Sequence, residues 1–341
     1  MMAGKVTSAQ VAKRAGVSQS AVSRVFTPGA SVSEKTAKKV RDAATALGYR
    51  PNVLARAMVS GKSRMIGLVV AYLDNHFYPD ALEKLSNALQ AKGYHVLVFM
   101  ASNKTEIIDT VLEEILDYQV EGIITASVSM SSELASRCQQ AGVPVVQFNR
   151  TQDLERVATV TSDNYQGGYD IAQFLAQGGH QRPAYIAGWE GASTQRDREA
   201  GFLDGLKDAG LTLFARGVGN FEADTAKAAA CCMFGKRDAV LPDAVFVAND
   251  HMAFAVMDAL RFELGLRVPQ DVSVVGYDDV PPAAWTAYDL TTVRQRANRM
   301  VEATVAAMLE KIDHPASPAR QVVVDAPLII RGSARKPKGP L

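Results

Sequence analysis

From residue 65 onward the chain alternates short apolar runs with stretches of helical period, and it does so twice. Residues 65–73 read as a buried strand, 81–92 as an amphipathic helix closed by Gly93, and 94–101 as a strand. A helix over 106–118, a strand over 121–126, a helix over 134–140 and a strand over 143–149 follow. The pattern restarts with a helix over 165–175, a strand over 184–189 and helices over 198–208 and 224–232. A strand over 244–249, a helix over 252–263 and a strand over 272–277 complete that second unit. Near 291–294 the chain is expected to cross back, giving a helix over 298–309 and a strand over 321–325. Apolar strands separated by helices pair in parallel, because each crossover lays a helix on a face of the sheet. The expectation is an α/β body of two doubly wound parallel sheets. One lobe takes about 64–162 with 294–324, and the other about 163–293 with 325–333. Such sheets bind ligands at the carboxyl ends of their strands, in the cleft between lobes.

The first fifty residues are of another kind. Thr7 with Gln10 three residues later forms a capping box ahead of an apolar face at Val11, Ala12 and Ala15. Gly16 stops that helix, since glycine enters a left-handed turn without a Cβ penalty. Ser18 caps a second helix, with Val22 and Val25 inward and Gln19, Ser20, Ser23 and Arg24 outward. After a turn at 27–30, Ser33 caps a third helix that runs through Ala37, Val40, Ala44 and Leu47 to Gly48. Two short helices joined by a tight glycine turn, with a polar outer face on the second, form a helix-turn-helix suited to the major groove of duplex DNA. Pro51 breaks the chain, and 52–60 read as a short helix too small to be stable alone. The chain thus divides into 1–51 for DNA binding, 52–63 as a short helix and linker, and 64–341 as the α/β body.

Charge divides at the same place. Residues 1–63 carry eleven Lys and Arg against Glu34 and Asp42, whereas the remainder carries 26 basic and 34 acidic residues. The overall charge of +1 thus conceals a basic head able to gather phosphates and release counterions. No signal-peptide pattern and no 18-residue apolar run occurs, so a cytoplasmic protein outside any membrane is expected. Three cysteines, Cys138, Cys231 and Cys232, lack framework spacing and fit a reducing compartment, with the adjacent pair read as core filling. The five histidines have no metal-ligand spacing, and no Walker A, G-x-S-x-G or G-x-G-x-x-G motif is present. Gly217-Val218-Gly219 reads as a loop. The expectation is no metal, no cofactor and no enzymatic activity. The tail 331–341 is basic and proline-bearing and has no apolar heptads for a coiled coil.

The order of parts resembles the LacI/GalR family of bacterial transcription regulators over essentially the whole chain. Its markers in the head are Gly16-Val17-Ser18, Val22-Ser23-Arg24, Val32-Ser33, Lys35-Thr36 and Gly48-Tyr49-Arg50-Pro51-Asn52. In the body they are Gly179-His180, Arg198-Glu199-Ala200-Gly201-Phe202, Ala248-Asn249-Asp250, Val275-Gly276-Tyr277-Asp278-Asp279 and Leu290-Thr291-Thr292-Val293. The resemblance implies a homodimer on an inverted-repeat double-stranded DNA operator. Gln19, Ser20 and Arg24 match positions that reach base edges, with Ser23 beside them. A glutamine suits adenine and an arginine suits guanine, each worth roughly 1–3 kcal/mol of discrimination. Phosphate is the alternative partner of Arg24. Thr7 and Ser18 are read as caps that orient phosphates. Residues 52–60 match the hinge helix that opens the minor groove. There Asn52 is a DNA-binding position, the small Ala55 suits close approach, and Met58 stands where the family usually has a leucine wedge.

The resemblance also implies a periplasmic-binding-protein-like body with effector contacts at Phe77, Tyr78, Arg198, Phe221, Asn249, Asp278 and Gln295. Charged and amide groups with aromatic rings suit a neutral polyhydroxylated ligand, so a sugar or polyol effector is expected. Trp189 and Trp285 are further cleft candidates, while Asp250 and Asp279 read as caps of the segments that follow them. Two alternatives stay open: a solute-binding receptor for transport without a DNA role, and a regulator with a purine or protein corepressor.

Overall fold

The computed structural model describes residues 6–27, 30–50, 62–71, 73–101, 105–128, 130–152, 157–235 and 239–337. They divide into two compact units, Met1–Arg64 and Met65–Leu341. The expected hinge positions Asn52, Ala55 and Met58 lie outside the described residues.

The first unit holds α1 (Ser8–Ala15), α2 (Gln19–Val25) and α3 (Glu34–Leu47). Its boundaries follow from local chemistry. Thr7 caps α1 in a complete capping box with Gln10, and Ser18 and Ser33 accept the N–H groups of Ala21 and Thr36. Gly16 and Gly48 close α1 and α3 at φ +66° and +67°, the left-handed region that only glycine enters freely. Val11, Val22 and Val40, one from each helix, are fully buried and hold the three together with Ala12, Ala43 and Ala44.

The second unit contains two six-stranded sheets. The first has the order β11-β5-β4-β3-β1-β2. It is formed by β1 (Met65–Val70), β2 (His95–Met100), β3 (Gly122–Ala126), β4 (Val145–Phe148), β5 (Ala158–Ser162) and β11 (Gln321–Val324). The second has the order β12-β10-β9-β8-β6-β7. Its strands are β6 (Pro183–Ala187), β7 (Ala215–Val218), β8 (Ala244–Val247), β9 (Ser273–Asp278), β10 (Thr291–Arg294) and β12 (Leu328–Ile329). All pairs are parallel except β10 with β12. Central strands such as β1, β3 and β9 are buried throughout, as the uninterrupted apolar runs require.

The helices are α4 (Phe77–Ala91), α5 (Thr105–Asp117), α6 (Ser132–Gln140), α7 (Asn164–Gln177), α8 (Ser193–Asp208), α9 (Ala223–Phe234), α10 (Asp250–Asp258) and α11 (Ala297–Asp313). A π-helical turn, Ala259–Glu263, extends α10.

Several expectations need correction. The apolar run from residue 65 ends as a strand at Val70. Helix α4 begins four residues earlier than its periodicity indicates and α8 five earlier, because neither His76 nor Ala192 caps its helix with a side chain. Strand β5 escapes notice because its sequence, ATVTS, mixes in buried hydroxyls. Of Gly217-Val218-Gly219, read as a loop, Gly217 and Val218 instead complete the half-exposed edge strand β7, Ala215–Val218. Residues 291–294 are not the crossing itself but β10, and the chain leaves the second sheet only after Arg294. Cys138 is buried, and of the adjacent pair only Cys231 packs, half-buried, against the core, whereas Cys232 is exposed. The tail follows the second sheet, where the Ser333 hydroxyl donates to the Val274 carbonyl and accepts the Thr291 N–H.

Candidate functional site

In the head unit the outer face of α2 presents Gln19, Ser20, Ser23 and Arg24, all exposed. The Ser18 and Ser20 hydroxyls lie 2.9 Å apart, and Gln19 Nε2 donates to Ser8 Oγ of α1 at 2.9 Å. Thr7 and Ser18 are occupied as caps.

In the body a small cavity of about 20 Å³ lies at the carboxyl ends of the strands of both sheets. Asn75, Tyr78, Ser127, Asn149 and Arg150 line it from the first lobe, and Thr194, Arg198, Phe221, Asn249 and Asp278 from the second. Four of these residues have left-handed backbone: Ser127 (φ +62°), Asn149 (+59°), Phe221 (+62°) and Asp278 (+129°). Ser127 and Asn149 directly follow β3 and β4, and Asp278 ends β9. Strained backbone held at strand ends is a mark of functional sites.

Arg198 is the centre of the second lobe's contribution. It is 2% exposed, and its guanidinium carbon lies 3.6 Å from the Tyr277 ring centroid. Nε donates to Asn164 Oδ1 at 2.8 Å, Nη1 to the Ala248 carbonyl at 2.6 Å, and Nη2 lies 3.6 Å from Asp278 Oδ1. Burial pushes the Asp278 carboxyl up from the ordinary carboxylate range, opposed by the Arg198 charge and the Gln295 and Asn75 amides. Asn249 caps α10 with Oδ1, which fixes its orientation and leaves Nδ2 the remaining donor. Phe221 lies on the cavity wall, and the Arg150 guanidinium carbon sits 5.9 Å from its ring centroid.

In the first lobe Tyr78 lines the cavity, and its hydroxyl accepts from Asn149 Nδ2 at 3.1 Å. That bond leaves Asn149 Oδ1, buried and without a hydrogen-bond partner, as an acceptor at the cavity wall. Phe77 is not in the wall: its ring stacks on Phe148 at 6.1 Å and meets Tyr78 edge-on. Gln295 lies outside the wall too. It accepts from Ser162 Oγ and donates to Asp278 Oδ1, tying two crossovers to the cavity's acidic group. Trp189 faces Arg150 at 5.7 Å, whereas Trp285 is largely exposed. Asp250 and Asp279 are not caps. Asp250 is fully buried and accepts from Thr292 Oγ1 and the Val280 N–H, while Asp279 pairs with Arg294 and Arg331.

Asn75, Ser127, Asn149, Arg150 and Thr194 are cavity residues that periodicity and motif reading did not single out. Asn149 and Arg150 carried a usable signal, since they are the first polar pair after an apolar strand. Arg150 spans the lobes: Nη2 donates to Ser127 Oγ at 3.1 Å and Nη1 lies 3.4 Å from Thr194 Oγ1. Beside it the Thr151 N–H donates to Ser193 Oγ at 2.9 Å.

The buried acids give a pH prediction. Burial raises the Asp250 carboxyl well above the usual range, and the Asp278 charge adds to it. A carboxyl whose folded value is raised keeps its proton in the folded state where the unfolded chain has lost it. Stability therefore falls as pH climbs above about 4. Asp250→Asn is expected to flatten the slope of melting temperature against pH between pH 5 and 8, whatever constant offset it brings. An unchanged slope in calorimetry would remove Asp250 as its source.

Among the described residues no cluster of three or more His, Cys, Asp or Glu could hold a metal, and no helix is long and apolar enough to cross a membrane.

The comparisons with known proteins agree with this geometry. Residues 9–52 match the bacterial regulatory proteins of the lacI family, and 172–334 match the periplasmic binding protein-like domain. The HTH-type transcriptional repressor PurR of Pectobacterium carotovorum subsp. carotovorum (strain PC1) is 31% identical over 95% of each chain. Among solved structures, the lac repressor dimer bound to operator and the anti-inducer ONPF superposes with TM-score 0.86 at 28% identity, over 96% of this chain and 99% of that one. The transcriptional regulator CelR in complex with cellobiose gives 0.72 at 28% identity, over 97% and 100%. Head, body and full-length relatives coincide in one architecture, and the chain belongs to the LacI family of DNA-binding bacterial transcription regulators.

Proposed function

We propose that this protein is a transcription repressor that grips an inverted-repeat operator as a homodimer and responds to a sugar or polyol in the cavity between its lobes. The division 1–51, 52–63 and 64–341 belongs to this reading, with Asn52, Ala55 and Met58 at the minor groove. Gln19, Ser20, Ser23 and Arg24 face the major groove, and Thr7 and Ser18 set their helices against phosphates. In the cavity, Asn149 Oδ1 accepts from a ligand hydroxyl, Asn249 and Arg198 donate to ligand oxygens, Asp278 accepts, and Tyr78 and Phe221 cover an apolar face. Gln295 acts through Asp278 and Phe77 through Tyr78. Binding shifts operator affinity by the ligand's differential affinity for two lobe arrangements, typically ~1–3 kcal/mol. Such a repressor works in the cytoplasm, beside the DNA.

The observation that carries the sugar class is the composition of the wall: amides, hydroxyls, two arginines and one acid from both lobes, with the Tyr78 and Phe221 rings to cover an apolar face. A purine is the second reading, favoured by the 31% identical relative named PurR. The test is selection of duplexes from a random pool by the full chain, then titration of the selected duplex with sugars, polyols, nucleosides and purine bases. An inverted repeat released or tightened by a polyol is the expected result. Response to purines alone would replace the sugar reading, and enrichment of single half-sites would remove the dimer. In the same assay Arg24→Ala is expected to lose roughly 1–3 kcal/mol on the selected duplex and far less on random DNA.

A further inference from the structure

Gln19 is the first residue of α2 and Ser8 the first residue of α1, eleven positions earlier. Their side chains meet at 2.9 Å, with Gln19 Nε2 donating to Ser8 Oγ. Capping does not occupy the Ser8 hydroxyl, because Thr7 makes the capping box with Gln10. The two helices are held in place by the buried Val11 and Val22, so the bond joins two fixed points rather than two mobile loops.

A glutamine amide nitrogen carries two hydrogens, and its oxygen accepts. With one hydrogen given to Ser8, the other and Oε1 remain as an adjacent donor and acceptor. Adenine offers the complementary pair, N7 and the N6 amino group, in the major groove. A glutamine without a tether rotates about three bonds and loses that freedom on binding. A tethered one meets the base with its amide plane already restricted, which favours the matching base over others.

We propose that Ser8 is a positioning residue for sequence readout, holding the Gln19 carboxamide so that its free N–H and Oε1 face a base edge. This rests on the reading above that α2 enters the major groove with Gln19 at a base.

The experiment compares the full-length wild type with Ser8→Ala, Ser8→Thr, Gln19→Ala and the double variant Ser8→Ala/Gln19→Ala. The probes are the selected duplex, each of its single base-pair substitutions, and random duplex. Ser8→Ala is expected to lose about 3- to 10-fold in discrimination, at the one base pair where Gln19→Ala loses it. Binding to random duplex stays unchanged, Ser8→Thr restores the wild-type preference, and the double variant matches Gln19→Ala. Alanine suits a helix interior, so the head remains folded, which its melting curve verifies. A uniform loss on all duplexes would make Ser8 a phosphate contact and overturn the proposal. So would a Ser8→Ala effect that persists without Gln19, or a Ser8→Ala variant that discriminates like the wild type while Gln19→Ala does not. If Gln19→Ala itself leaves every base preference intact, the base-reading role of Gln19 has failed, and the proposal falls with it.

Discussion

Replacing Arg198 with alanine is expected to lower the melting temperature of the body by on the order of 10 °C and to abolish the ligand response. Its guanidinium is nearly fully buried and serves Asn164 Oδ1, the Ala248 carbonyl and Asp278 at once. Removing one partner of a buried pair leaves the other desolvated, which typically costs about 3–5 kcal/mol. For a unit of this size each kcal/mol moves the midpoint by roughly 2–4 °C. The head has its own core of valines and alanines, so its helices should persist. Calorimetry of the full chain checks the first part, and ligand titration on the selected operator the second. Adding Asp278→Asn to Arg198→Ala should recover part of the lost stability, because the stranded acid is then neutral. A midpoint within 1–2 °C of wild type would mean that water, rather than Arg198, satisfies Asp278.

Gly201→Ala is expected to destabilise the body, although the same exchange in an exposed helix would stabilise it by up to about 1 kcal/mol. Helices α7 and α8 cross at glycines. A Cβ on Gly201 would stand 1.9 Å from the Tyr165 carbonyl oxygen, and one on Gly168 would stand 2.1 Å from the Arg198 carbonyl oxygen. Both obstacles are backbone, so no side chain can swing aside and the helices must separate. Overpacking of this kind costs typically ~1–3 kcal/mol. Separation also pulls Arg198 on α8 from Asn164 on α7, so ligand affinity should fall together with stability. An unchanged or higher melting temperature for Gly201→Ala would show that the crossing yields easily and carries no part of the site.

Local signals predicted well where the partner was local. Thr7 with Gln10, Ser18, Ser33, Gly16 and Gly48 bounded the head helices, because a cap and its N–H lie within three residues of each other. Arg198, Asn249 and Asp278 were reached through resemblance, and the structure places all three around one cavity. The failures share a cause. Helices α4 and α8 begin without a capping side chain of their own, and both begin beside the cavity, so the signal that would have marked them is absent. Strand β5 hid its burial behind threonines, β7 is an edge strand with little apolar content, and β12 is too short, at two residues, to show a period.

The sequence by itself determined the parts: three capped helices on a basic head, then two runs of buried strands that must pair in parallel. Those depend on hydrogen bonds within four residues and on apolar period, which are written along the chain. Only the tertiary structure decided which polar groups meet. Arg150 reaches Thr194 across 44 positions, Gln295 joins Ser162 across 133, and Asn149 turns its unpaired oxygen toward the cavity because Tyr78, 71 residues earlier, holds its nitrogen. Such convergence follows from the two sheets aiming their carboxyl ends at one cleft. That is a property of strand order, and no local pattern encodes it.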